Sequence, residues 1–277
     1  MITSAAFLFS LQFLFNNGYQ KESGSGWRSS LKFAFYSSIA GLFVLLCINR
    51  FHLELTGFSL AAAFVYGLVN VGSSYSSVKA FESANLSVYS VFSMIGGMLL
   101  PFVYGILCGE ELTIMRLACC VLITLSVLIS IEKDDQYKKA VKYYIAVFFL
   151  NGMAGVISKF HQSYPALCVD SGSFMMLTKI TTIFLSVLLL LVRKERDFKV
   201  TGKAFAFCSG HSVFNSVGNL MLLIALFHLP ASVQYPIVTG GVIVFSTGID
   251  LVRKVKVTKK ELVAAGIAFW ATVLMAL

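Results

Sequence analysis

An apolar run of nearly 20 residues recurs along the whole of this chain, with only short polar stretches between runs. A helix rising about 1.5 Å per residue crosses roughly 30 Å of hydrocarbon in that length. Of 277 residues, 57% are hydrophobic and only 13% are charged, too few charges to cover a soluble domain of this size. The expected class is therefore an all-α membrane protein with the lipid bilayer as its partner. Its expected location is the cell membrane, as a multi-pass integral protein.

Spans are expected near residues 2–18, 30–48, 58–78, 85–107, 113–131, 141–159, 173–192, 204–227, 231–252 and 260–277, giving ten transmembrane helices. Met1–Lys21 has no basic leader region and no small-residue cleavage site, so it is expected as the first span rather than a signal peptide. The stretch "GYQKESGSGWRSS" is expected to be a flexible loop from its Gly and Ser content.

A displacement of 145 residues brings like onto like. Thr56-Gly57 falls on Thr201-Gly202, Asn70 on Asn215, Ala80 on Ala225, Ser87-Val88 on Ser232-Val233, Gly96 on Gly241, and Thr113 on Thr258. Two five-helix repeats follow, 1–132 and 139–277. An odd number of spans per repeat makes the second enter the membrane from the other side, so the expected architecture is two inverted repeats. That arrangement places a substrate site near the midplane, between the halves.

The formal net charge is +9. Most of the 22 Lys and Arg residues lie in or beside the odd-numbered connections, for example Lys133, Lys138, Lys139, Arg193, Lys194, Arg196, Arg253, Lys254 and Lys256. The positive-inside rule then puts both termini outside. Charge so dispersed offers no surface for a nucleic acid. The six cysteines form no CxxC and no zinc spacing, and read as small packing residues. No metal and no cofactor are expected.

His211, Asn215 and Asn219 recur every four residues in the apolar stretch "SGHSVFNSVGNLMLLIALFHLP", and so share one helical face. The displacement carries them onto Tyr66, Asn70 and Ser74, a second stripe with the same period. Unmet polar groups cost several kcal/mol in lipid, so both stripes should face inward, lining a cavity and pairing with each other. Interhelical glue, worth about 0.6 kcal/mol per bond, is the plainer reading of one stripe alone. Lys179 lies inside the seventh span, where a cation is a functional candidate.

Asn16, Asn17 and Gln20 close the first span, and Lys159, His161 and Gln162 the sixth. Lys79 and Glu82 read as an i, i+3 ion pair. Pro236, beside Gln234 and Tyr235, should interrupt the ninth span, where freed carbonyls could border a substrate path. Tyr89 is the counterpart of Gln234 under the displacement. Gly97 with Gly105, and Gly240 with Gly248, read as close helix contacts. The expected substrate-binding set is Asn17, Tyr66, Asn70, Ser74, Tyr89, Lys179, His211, Asn215, Asn219, Gln234 and Tyr235.

The segment "AFESANLSVYSVFSMIGGMLLPFVYGILCGEELTIMRLACCVLITLSVLI" resembles the drug/metabolite transporter superfamily, of the ten-span EamA-like kind. It has a small-residue entry to the fourth span, an apolar run, the turn Gly109-Glu110 and a fifth span. "LPASVQYPIVTGGVIVFSTGIDLVRKVKVTKKELVAAGIAF" repeats the layout, with basic residues in place of the Gly-Glu turn. The resemblance implies alternating-access transport of a small metabolite through a central cavity, with the substrate left open. It also implies both termini in the cytoplasm, the reverse of the charge bias. If protons couple to transport, His211 is the candidate by its ordinary pKa range. A membrane-embedded enzyme is the rival class, but the clustered acids, HExxH or Ser-His-acid set it would need are missing from the sequence. A receptor or assembly protein is a third class.

Overall fold

A computed structural model describes residues 1–24, 26–82, 86–129, 137–194, 198–254 and 257–276, with backbone alone at 78, 80–82, 86–91, 137–141 and 276. The described residues form ten helices and no strand: α1 Ile2–Ser23, α2 Trp27–Ile48, α3 Gly57–Glu82, α4 Leu86–Leu107, α5 Ile114–Ile129, α6 Tyr137–Gln162, α7 Ser171–Val192, α8 Gly202–Leu226, α9 Ala231–Val252 and α10 Lys259–Ala276. Five of them contain stretches long and apolar enough to cross a membrane: Trp27–Ile48, Gly57–Ser77, Lys142–Gln162, Ser171–Val192 and Ala231–Val252. The chain is thus a helical protein of membrane character. Its flanks bear large apolar side chains such as Phe43, Phe184 and Trp270, 64%, 58% and 65% exposed. A water-facing surface rarely carries so much contiguous apolar area.

Helix ends follow from local chemistry. Thr56, Thr113, Thr201 and Thr258 each accept, at Oγ1, the N–H three residues on, at 3.2, 3.2, 3.1 and 3.3 Å. Each thereby satisfies a donor that the first turn leaves without a helical partner. Glu261 completes a capping box by accepting the Thr258 N–H at 2.6 Å. These four threonines are two pairs of mates under the 145-residue displacement. Asp170 caps α7 through Oδ1, accepting from Gly172 and Ser173 at 2.8 and 3.0 Å.

Two expectations need correction. The stretch 18–30 is mostly helical: α1 propagates to Ser23 and α2 starts at Trp27. Gly24, at φ 72°, leaves the helical region with its N–H still reaching Gln20 O at 2.9 Å, and Gly26 is extended, at φ −74° and ψ 156°. The ninth span is not interrupted, since α9 runs through Pro236. That proline stands in the second turn, so its ring removes a single backbone bond. The side chains of Glu82, Ser87, Val88 and Tyr89, and residues 133 and 196, lie outside the description.

Helices of the two halves interleave. α1 packs on α8 and α9, and α2 on α7 and α8. Correspondingly, α6 packs on α3 and α4, and α7 on α2 and α3. Pairs α4–α9 and α5–α10 close the bundle. A core of Leu45, Tyr66, Phe174, Met175, Leu223 and Tyr235 joins the two halves at its centre.

Glycine permits the closest of these crossings. A Cβ on Gly96 of α4 would strike the Phe148 carbonyl of α6, and one on Gly152 would lie 2.5 Å from Gly96 O. Of the glycines singled out from spacing, Gly97 meets the Asn151 side chain and Gly240 meets Thr272, but Gly248 has nothing within 4 Å. Gly96→Val should therefore lower the thermal midpoint in detergent by the equivalent of about 1–3 kcal/mol or more, as overpacking does. Gly248→Ala should leave it unchanged, and equal loss in both variants would show that the α4–α6 crossing is not the sensitive one.

Candidate functional site

A central cavity opens between α1, α2, α3, α4, α6, α7, α8 and α9. It has two lobes of about 180 and 170 Å³. Gln12, Phe13, Asn70, Ser93, Asn151, Lys179 and Asn215 line both lobes, so the lobes adjoin at this polar waist. The first lobe is otherwise mixed, with Phe9, Met94, Met175, Leu222 and Val238 in its walls beside Tyr66, Asn219, Tyr235 and Thr239. The second carries serines, among them Ser37, Ser38, Ser73, Ser74 and Ser212.

Lys179 sits in α7 with 6% exposure. Gly41 of α2 admits α8 and Lys179 together, since a Cβ there would lie 2.5 and 2.6 Å from the Ser216 and Ser212 Oγ atoms and 3.1 Å from Lys179 Cε. Its ammonium donates to Asn215 Oδ1 at 3.3 Å. Asn215 Nδ2 donates in turn to Gln12 Oε1 at 2.8 Å. An ammonium only donates, so Asn215 must present its oxygen to it and its NH₂ to Gln12. The chain of bonds therefore ends in donors, the Lys179 ammonium at one end and Gln12 Nε2 at the other. His211 Nδ1 faces the Gln12 carbonyl at 3.3 Å, and since a carbonyl only accepts, Nδ1 carries a proton there.

The two polar stripes share this cavity but do not bond to each other. Tyr66, Asn70, Asn215, Asn219 and Tyr235 line the first lobe; Asn70, Ser74, His211 and Asn215 line the second. The Asn70 amide makes no hydrogen bond among the described residues, while the α8 stripe pairs with Gln12 and Lys179 instead. At the ends of the two stripes the displacement mates fall in opposite lobes: Tyr66 lies in the first and His211 in the second, Ser74 in the second and Asn219 in the first. α3 thus runs from the first lobe to the second, and α8 runs back.

Asn17 and Gln234 lie off the cavity. Asn16 lines it in place of Asn17, one residue and about 100° away on the helix. Gln234 is fully buried and donates to Leu222 O at 2.9 Å, tying α9 to α8. Gln12 and Asn151 were missed. Gln12 belongs to an i, i+4 series with Asn16 and Gln20, a signal of the same kind as the α8 stripe. Asn151 stands alone in its apolar run and donates to Ser93 O at 2.6 Å.

The polar end of α6 serves as fastening rather than lining. His161 Nε2 lies 2.8 Å from Ser59 Oγ, and its ring stacks 3.9 Å from Phe174. Gln162 donates to Leu223 O at 2.8 Å. Lys159 pairs with Glu110 at 2.9 Å. Glu110 follows Gly109, whose φ of 93° ends α4 with bonds Gly109 N–H to Ile106 O and Glu110 N–H to Gly105 O, both 3.0 Å. The two carboxylate oxygens accept the N–H groups of Ala231 and Ser232, each at 2.8 Å, at the start of α9. Gly105 leaves the space: a Cβ there would lie 2.6 Å from Oε2. The Gly-Glu turn is thus a clamp joining three connections.

No protein-family model matches the chain, and no curated protein matches it. It is similar to a protein of known crystal structure, at a TM-score of 0.74 over 99% of this chain and 94% of that one, with 13% identity. That likeness is one of fold.

Burial would raise the Glu110 pKa, but the Lys159 ammonium and the α9 N–H groups outweigh it and hold the carboxyl below its ordinary range. A carboxyl whose folded pKa is depressed contributes stability above its unfolded pKa, about 4.3 for Glu, and loses it as pH falls through the folded value. Glu110→Gln should therefore cost about 2–4 kcal/mol at neutral pH, as for loss of a partly buried ion pair and its charged hydrogen bonds. In thermal melts against pH, the gap between parent and variant should be constant from pH 6 to 8 and close below about pH 4. A gap that persists unchanged in acid would mean that the carboxylate charge is not what holds the clamp.

Proposed function

We propose that this chain is a secondary transporter of a small organic metabolite, an EamA-like member of the drug/metabolite transporter superfamily resident in the cell membrane. Its ten helices all span the bilayer as two inverted five-helix repeats, 1–132 and 139–277, and the solute passes by alternating access through the cavity between them. The observation that carries this reading is the two-lobed polar cavity along which the matched stripes of α3 and α8 run in opposite directions. A two-fold axis in the membrane plane exchanges the two ends of a cavity in that way.

Further observations support the symmetry. Thr56 Oγ1 donates to Leu167 O at 2.7 Å, and Thr201 Oγ1 donates to Glu22 Oε1 at 3.3 Å. Both members of one pair are displaced by 145 residues from the members of the other. Gly109 and Lys254, also mates, both have positive φ at the ends of α4 and α9. The helix pairs α1–α8, α1–α9 and α2–α8 have the counterparts α6–α3, α6–α4 and α7–α3. Each end of the cavity is thus held by its own bonds between the halves, and releasing one set at a time opens one lobe at a time.

Cysteine accessibility tests this without any knowledge of the solute. In a background with the more accessible Cys47, Cys108 and Cys168 changed to serine, Ser158→Cys probes the first lobe and Ser74→Cys the second. In sealed vesicles, a membrane-impermeant thiol reagent should reach the two cysteines from opposite faces. Labelling of both from one face, or of neither from either face, would remove alternating access.

A further inference from the structure

We infer that the transported solute is an organic monoanion, with its negative group on Lys179 and an uncharged, largely apolar body of about one aromatic ring in the first lobe. This rests on the transporter reading above and adds the class of substrate.

The charge argument comes first. Among the described residues lining either lobe, Lys179 is the one Lys or Arg, and no Asp or Glu is present. The Lys179 ammonium has three N–H donors and a single hydrogen bond, to Asn215. No described carboxylate lies within ion-pair distance of it. A cation buried in a membrane bundle is costly unless paired and hydrogen-bonded. A solute carboxylate or comparable anion at the waist supplies the missing partner.

Hydrogen-bond polarity points the same way. Lys179 fixes the direction of the Asn215–Gln12 chain, so the chain offers donors at both ends. The unbonded Asn70 amide can turn its NH₂ toward the same group. Anionic oxygens only accept, and these donors match them. A dianion would bring a second charge with no second cation to meet it. An organic cation would meet Lys179 with no carboxylate to offset the repulsion.

Size and wall chemistry set the rest of the molecule. A lobe of about 180 Å³ is of the order of the roughly 150 Å³ apolar cavity that accepts one benzene. Phe9, Met94, Met175 and Leu222 offer that lobe apolar walls for a ring, with Tyr66, Asn219 and Thr239 as polar groups among them.

The probes are four matched compounds: 3-phenylpropionate, 3-phenylpropanol, 3-phenylpropylamine and the diacid phenylsuccinate. Binding to the full-length protein in detergent is read by ligand-observed NMR titration, for the parent, Lys179→Gln and Lys179→Arg. The expected result is that the parent binds the monocarboxylate at least tenfold more tightly than the other three. Lys179→Gln should lose that preference while binding the alcohol as the parent does, and Lys179→Arg should keep it. The proposal is overturned if the alcohol, amine or diacid binds the parent as well as the monocarboxylate. It also falls if the monocarboxylate does not bind, or if Lys179→Gln retains the preference. The ranking on the parent decides even where Lys179→Gln does not fold. Failure here with the opposite-face labelling pattern intact removes the anion and leaves the transporter.

Discussion

Inside a bilayer there is no water to satisfy a polar group, and every other feature of this molecule answers to that constraint. Helices absorb the backbone bonds. Threonine caps meet the exposed donors at the starts of α3, α5, α8 and α10. Apolar side chains take the outer faces, which leaves polar side chains only the interior. There they must bond to one another or to something that enters. The serines and threonines mostly bond to carbonyls, as Thr181 does to Ala63 O at 2.8 Å and Ser126 to Ala264 O at 2.6 Å. Lys179 and Asn70 do not find full partners in this way, and both line the waist of the cavity.

The second organising contact is the Glu110 clamp. A single carboxylate caps α9, pairs with Lys159 at the end of α6 and is itself placed by the turn after α4. Its charge stabilises the positive end of the α9 dipole and the Lys159 ammonium together. The clamp sits at the end of the cavity where α6 and α8 finish and α9 begins. The opposite end is fastened by different chemistry: Tyr36 donates to Phe198 O at 2.7 Å, and Glu22 pairs with Lys203 at 3.1 Å. The two ends are thus held by separate sets of bonds, on either side of the core that joins the halves.

Much of the architecture was legible in the sequence because membrane helices announce themselves by apolar length. The eighth helix was legible in a second way, since residues at i, i+4 and i+8 lie on one face whatever surrounds them. That rule also explains the misses. Gln12 obeys it with Asn16 and Gln20, yet a lone amide inside "FLFSLQFLF" hardly lowers the local hydropathy. Asn17 looks equivalent to Asn16 in composition and lies about 100° away in space. Gln234 and the α6 terminus show the limit of polarity as a signal: a polar side chain in an apolar helix must face protein, but fastening and lining satisfy that equally. Only the neighbours decide, and they come from distant segments. The break expected at Pro236 failed for a local reason, because a proline in the second turn removes one bond near an end already held by Glu110.

The direction of the hydrogen bonds at the waist carries more information than the identity of the residues. Asparagine and glutamine can donate or accept, so a row of amides is compatible with almost any solute. A lysine beside them removes that freedom. Once the ammonium claims the Asn215 oxygen, Asn215 must donate to Gln12, and the outermost groups of the chain are donors. A neutral residue at 179 would leave the same amides free to rotate and the cavity without a charge preference. A carboxylate there would reverse every bond in the chain and present acceptors. The chemistry of the whole waist therefore follows from one side chain.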